Sequence, residues 1–310
     1  AADHQGPTPR GLFSSLLERL QDLAQLLRGC RDVFMAAFED GMLSPAPGSQ
    51  AEHDFALALE GPAGRWPDDV NIQPRALAAK LVRQQADYCT ALGHLVGEAE
   101  VFDPLGSLLR GAFEYGTRAI WVIDPRANVP GEPGKGHRVR SARTLLMELA
   151  STHHAGMALS GRVGVEEERA SVKATWKVLR ALAQRMFADV RLDGDPTKWS
   201  IEGVSYSSWT TIAQTWGLLE GTEVPGGSIY QLLALEGHPQ GFTATRGLRA
   251  APEGPTRTIS LEDVTVRVQL AVGTFYSSFT LLANYHGYRS SILERWEHDI
   301  DAVLPGALRE

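Results

Sequence analysis

The stretch that decides the fold is residues 103–125, Asp103-Pro-Leu-Gly-Ser-Leu-Leu-Arg-Gly-Ala-Phe-Glu-Tyr-Gly-Thr-Arg-Ala-Ile-Trp-Val-Ile-Asp-Pro125. Asp103 followed by Pro104 reads as an N-cap with proline in the first turn, where a missing N–H does no harm. Leu105, Leu108, Leu109, Ala112, Phe113, Ala119, Ile120 and Val122 recur at helical spacing, and Asp124-Pro125 stops the helix near Ile123. A helix this apolar is expected to be mostly buried. It nevertheless carries Arg110, Glu114 and Arg118 at i, i+4 and i+8, with Trp121 adjoining. Buried charges need partners or a cleft, so this face is a candidate site; a solvated charged stripe is the plainer alternative.

Helical spacing continues on both sides. Large apolar residues from Leu12 to Phe38 make a wide helical face, ended by Gly41, Pro45 and Pro47. A loop then runs to about residue 72, with room for one helical turn beginning at Asp54. A second helix runs from about Pro74 to Glu98. Beyond the deciding stretch, helices are expected over residues 139–159, 166–190, 207–219 and 229–236. Ser260-Leu-Glu-Asp263 reads as a capping-box-like start for a long helix to about Tyr285, and a last one follows to about Val303. Residues 193–205 read as a loop around Trp199. A short hairpin or irregular excursion is expected near residues 242–244 and 256–259. The expectation is an all-α helical bundle of eight or nine helices. Residues 1–72 form an N-terminal helix and loop extension and residues 73–310 the core, with a single domain overall left open.

Composition narrows the function. The chain has 310 residues, and 30 basic against 37 acidic residues give a net charge of −7. That balance argues against a broadly basic nucleic-acid surface but leaves room for a local one. Lys135, Arg138, Arg140 and Arg143 make the best local strip, with a solvated helix start as its bland reading. Only two cysteines occur, Cys30 and Cys89, both in apolar stretches and expected as buried thiols. The first ten residues lack a basic segment followed by an apolar one, and no apolar run approaches the roughly 20 residues of a membrane span. A cytoplasmic protein without membrane association is expected.

The usual catalytic motifs are missing. No His follows a Glu by three residues, and there is no His-Glu-x-x-His, phosphate-binding Gly-rich motif or Gly-x-Ser-x-Gly. Neither a metal nor a cofactor is expected. Candidate proton carriers are His94, which shares a helix stripe with Asp87 and Glu98, and His238 at the end of residues 230–238. Asn284-Tyr-His-Gly-Tyr-Arg289 places His286 and Arg289 near two tyrosines, suiting a polar pocket or an ordinary helix end.

The helix carrying Arg110, Glu114, Arg118 and Trp121, closed by Asp124-Pro125, resembles one found in actinobacterial proteins of the HEPN-like helical superfamily, the DUF5677-type branch. Residues 230–238 resemble in spacing that family's later Tyr-Arg-x-Leu-Ser-x-x-x-His-Gly signature, and residues 207–211 the Ser/Thr-rich stretch before it. The resemblance covers about residues 80–290. It implies a helical fold, dimerisation and, in active members, metal-independent RNA cleavage by an Arg and a His on one helix. Here Gln231 stands at the arginine position and Ala234 at the serine position. Gln cannot make the charge-assisted fork an arginine makes to phosphate.

Two functions are therefore carried forward. In the first, the cleft is repurposed for a small molecule, as a binding protein or a biosynthetic tailoring enzyme with His-based acid/base chemistry. His238, His94 and Glu114 would act on protons. Arg110, Arg118, Trp121, Tyr230, Gln231, His286 and Arg289 would bind ligand, Arg118 holding an anionic group. The second is an RNA-binding or ribonuclease-like defence or toxin protein with a degenerate active site. A homodimer is compatible with both.

Overall fold

Why the chain forms these helices is clearest at α4, Leu105–Ile123. Its apolar residues Leu109, Ala112, Phe113, Ala119 and Val122 are buried between neighbouring helices. Asp124 ends it: its Oδ1 accepts from the backbone N–H and Nε of Arg126, both at 3.0 Å, starting a 3₁₀ turn at Pro125–Ala127. The computed structural model describes residues 9–59, 73–98, 105–132, 134–208, 210–212, 231, 233, 248–251, 254–257 and 260–308.

Among the described residues, eight helices of ten residues or more follow in order: α1 Pro9–Glu39, α2 Gln50–Leu59, α3 Pro74–Glu98, α4, α5 Lys135–Leu159, α6 Glu166–Met186, α7 Leu261–His286 and α8 Ser291–Val303. The fold is an all-α helical bundle. None of the described helices is long and apolar enough to cross a membrane. At Ser260 the expected capping box is present: Ser260 Oγ accepts from the Asp263 N–H at 3.0 Å while the Asp263 carboxylate accepts from the Ser260 N–H. Gly287, at φ +68, closes α7 in a left-handed conformation.

Apolar residues gather in two cores. The main one joins α1, α3, α4, α7 and α8, with Leu23, Phe34, Phe113, Phe275 and Phe279 fully buried. The first helix, set apart by sequence as an extension, contributes Leu20, Leu23, Ala24, Leu27, Cys30 and Phe34 to this core. Both cysteine thiols are free and buried. Burial pushes the Cys30 thiol well above its usual pKa. Gly116 lets α4 approach α3, since a Cβ there would lie 2.7 Å from the Cδ of fully buried Gln85. Gln85 Oε1 in turn accepts from Ser278 Oγ of α7 at 2.6 Å, tying three helices at one point.

The second core lies between α5 and α6 and includes Leu146, Leu182, Trp199 and Ile201. A three-stranded antiparallel sheet closes it: β1 Val190–Arg191, β2 Ser200–Ile201 and β3 Val204–Ser205. The segment expected as a loop thus contains two strands, and α6 stops at Met186 because Phe187 is extended and the chain turns into β1. A second hairpin pairs β4 Leu248–Ala251 with β5 Gly254–Arg257. It overlaps the latter half of the expected excursion; residues 242–244 lie outside the described residues.

Candidate functional site

The α4 face comes together as the spacing predicts. Arg110 Nε donates to Glu114 Oε1 at 2.9 Å, and Arg118 Nη2 lies 3.5 Å from Glu114 Oε2. The Arg118 guanidinium also sits over the Tyr115 ring, 5.6 Å from its centroid. Trp121 is buried beneath Arg143, whose Nη1 donates to the Trp121 carbonyl at 2.7 Å. One carboxylate is therefore shared by two guanidiniums, and the aromatic beside them is covered.

The other expected members are spread widely. His94 is exposed on the outer side of α3, and Asp87 on the same helix pairs with Arg31 at 3.4 Å. Arg289 is exposed after α7, and Gln231 is helical and exposed. Tyr230 and His238 lie outside the described residues. His286, in contrast, is fully buried at 0% exposure, with no hydrogen-bond partner for either ring nitrogen among the described residues. Burial, then the neighbouring Arg75, holds its pKa down at about 4.

The basic strip of residues 135–143 is largely consumed by carboxylates. Lys135 pairs with Glu132 at 2.9 Å on the surface. Arg138 holds Glu202, with Nε to Oε2 at 2.8 Å, and that contact keeps the Glu202 carboxyl below its usual pKa. Arg143 lies 3.6 Å from Asp124. Arg140 is fully buried, and its partner opens the most organised polar site in the fold.

That partner is Asp54 of α2. Arg140 makes a two-pronged contact, Nε to Oδ2 at 2.7 Å and Nη2 to Oδ1 at 2.6 Å. Tyr285 of α7 donates its hydroxyl to Oδ2 at 2.8 Å, and Gln50 Nε2 donates to Oδ1 at 2.7 Å. A ring then closes through Asn128, which accepts from Arg140 Nη1 at 3.0 Å and donates to Gln50 Oε1 at 2.8 Å. Gly136 makes this closure possible: a Cβ there would collide with Asn128, 3.0 Å from its Cγ. Burial, then the Asp54 charge, pushes the Tyr285 hydroxyl well above its usual pKa, so it stays a donor.

A small pocket of about 20 Å³ opens beside the ring, room for about one water or one small polar head. Ala51, Asp54 and Phe55 of α2 form one wall and Gln73, Pro74 and Arg75 at the start of α3 another. His137 and Ser141 of α5 lie one turn apart on one helix face, and Tyr285 completes the lining. Burial lowers the His137 pKa, with Asp54 opposing, which keeps the imidazole neutral at pH 7. Ser141 is 1% exposed, and its hydroxyl finds no hydrogen-bond partner among the described residues. Arg75 stacks on Phe55, 5.0 Å from the ring centroid, and forms no ion pair among the described residues. No group of three or more His, Cys, Asp or Glu that could hold a metal occurs among the described residues.

Sequence spacing could not find this site. Arg140 lies 86 residues from Asp54, and Tyr285 lies 231 residues from it. The usable signals were the polar run around Tyr285 and His286 and the basic strip that includes Arg140. Comparison of the chain with protein-family models, with curated proteins and with solved structures found no match.

Proposed function

We propose that this protein binds a small molecule at the junction of α2, α3, α5 and α7. The observation that carries the reading is the Ser141 hydroxyl, buried and without a hydrogen-bond partner among the described residues, in the lining of a pocket that also holds Arg75 and His137. A buried hydroxyl without a partner costs about 1–3 kcal/mol, which a ligand or an ordered water recovers. The site of the repurposed cleft thus shifts from the α4 face, where Glu114 engages both Arg110 and Arg118 and the adjoining Trp121 is covered by Arg143, to this junction. Neutral His137 is the group there suited to moving a proton. Kinship with the HEPN-like superfamily and a cytoplasmic location remain part of the proposal; the helical architecture supports the first. The RNA reading loses support because the cations of residues 135–143 are held by Glu132, Glu202, Asp54 and Asp124.

A thermal-shift screen against small polar metabolites tests this. A ligand at 100 times its Kd adds about 2.7 kcal/mol of stability. That gain should vanish in Ser141→Val and persist in Arg118→Gln. Stabilisation lost in Arg118→Gln but kept in Ser141→Val would return the site to α4, and no stabilising compound at all would remove the reading.

A further inference from the structure

Resting on that small-molecule reading, we infer that the ligand is an organic acid, with its carboxylate between Arg75 and Ser141 and its hydrocarbon part against Phe55.

Charge balance is the first argument. Among the described residues, two guanidiniums stand around the pocket, Arg75 and Arg140, and one carboxylate, Asp54, fully engaged by Arg140, Tyr285 and Gln50. His137 is neutral. One positive charge is left over among these residues, and it belongs to Arg75, whose described contact is the face of Phe55. A monoanion balances it.

Backbone polarity is the second. Arg75 lies in the first turn of the 25-residue helix α3, which has no acidic residue in that turn. Pro74 has no N–H, and the N–H groups of Ala76 and Leu77 bond the Gln73 carbonyl at 3.0 and 3.1 Å. With those donors taken, the first turn acts on an anion through its dipole, and the Arg75 side chain supplies the charge and the hydrogen bonds. The buried Ser141 hydroxyl supplies an independent donor from α5.

Shape selects within the anions. The opening holds little more than one water, so a planar carboxylate edge fits where a tetrahedral phosphate is too bulky. Ala51, Phe55 and Pro74 make the remaining wall apolar, and Phe55 is 39% exposed. An acid with an aromatic or short aliphatic body matches both parts.

Calorimetric titration of the full chain with benzoate, benzamide, acetate and inorganic phosphate tests the inference. Benzoate should bind more tightly than acetate, while benzamide and phosphate bind at least tenfold more weakly than benzoate. Arg75→Gln should weaken benzoate at least tenfold, and raising chloride against wild-type protein should weaken it progressively, a readout that needs no variant to fold. If benzamide matches benzoate, or Arg75→Gln and chloride leave benzoate unchanged, the carboxylate assignment is overturned. The small-molecule reading survives that result when Ser141→Val still abolishes benzamide binding. If none of the four binds and the metabolite screen is also empty, both fail together.

Discussion

Replacing Asp54 with leucine should be among the most damaging single changes in this protein. The carboxylate accepts four hydrogen bonds: two from Arg140, one from Tyr285 and one from Gln50. Arg140 has no exposed side-chain surface, so Asp54→Leu leaves a buried guanidinium with Asn128 Oδ1 as its only side-chain acceptor among the described residues. Stranding one partner of a buried ion pair costs about 3–5 kcal/mol. Orphaning the Tyr285 hydroxyl adds about 1 kcal/mol. With a urea slope near 3 kcal/mol per M for a large chain, a loss of about 5 kcal/mol lowers the unfolding midpoint by roughly 1.7 M. Arg140→Met alone should cost about 3 kcal/mol, since Asp54 keeps Tyr285 and Gln50. The double variant Asp54→Leu/Arg140→Met removes both charges and should return to within about 1–2 kcal/mol of the wild type, a coupling of several kcal/mol. Urea unfolding of the four proteins, followed by circular dichroism, measures the cycle. A single-variant cost below about 1 kcal/mol, or a double variant whose cost equals the sum of the singles, refutes the burial argument.

Three further outcomes follow from the same geometry. His286 stays neutral down to about pH 4 when folded but takes a proton near pH 6.5 when unfolded, so stability is flat above about pH 6.5 and falls as pH drops toward 4. The total is about 3 kcal/mol, and urea midpoints at pH 7 and 4.5 should show most of it in wild type and markedly less in His286→Phe; an equal loss in both proteins counts against it. Gly116→Ala should destabilise by about 1–3 kcal/mol despite alanine's better helix propensity, because its Cβ must displace the Gln85 side chain of α3 from its place between α4 and α7; a stabilised variant would show that the contact yields freely. Any single-stranded RNA affinity should vary with salt by a log–log slope shallower than about −1, while a slope near −3, the value for four phosphate contacts at 0.7 each, would show that residues 135–143 are available after all.

Much of the helical layout was legible because its signals are local. The cap at Ser260 and the stop at Asp124-Pro125 depend on residues within a turn, as does the Arg110–Glu114–Arg118 pairing. The α5–α6 sheet was not legible, since strands of two residues such as Ser200–Ile201 carry no alternation to read. For the basic strip, sequence shows spacing but not distant partners: Arg138 meets Glu202, 64 residues on. The junction site failed for the same reason on a larger scale. Asp54 looked like part of a possible helical turn, and only the fold brings it to Arg140 and Tyr285.

The ring's position says what it is for. Helix α2 has only ten residues, too short to be stable alone, and it supplies a whole wall of the pocket through Ala51, Asp54 and Phe55. The bonds described from it into α5, α7 and the 3₁₀ segment are those of Gln50 and Asp54. On α5, Arg140 lies between His137 and Ser141, so fixing its guanidinium also fixes the rotation that turns those two side chains to the pocket. A buried ion pair adds little net stability over an apolar replacement; we predict that this one specifies geometry that an apolar replacement leaves loose. Stability and binding should therefore part company. Asp54→Leu/Arg140→Met, though it regains most of its stability, should bind benzoate no better than Asp54→Leu does, because α2 then packs without a fixed register against α5. Benzoate affinity restored in step with stability would mean that the ring merely holds the fold and that the pocket forms without it.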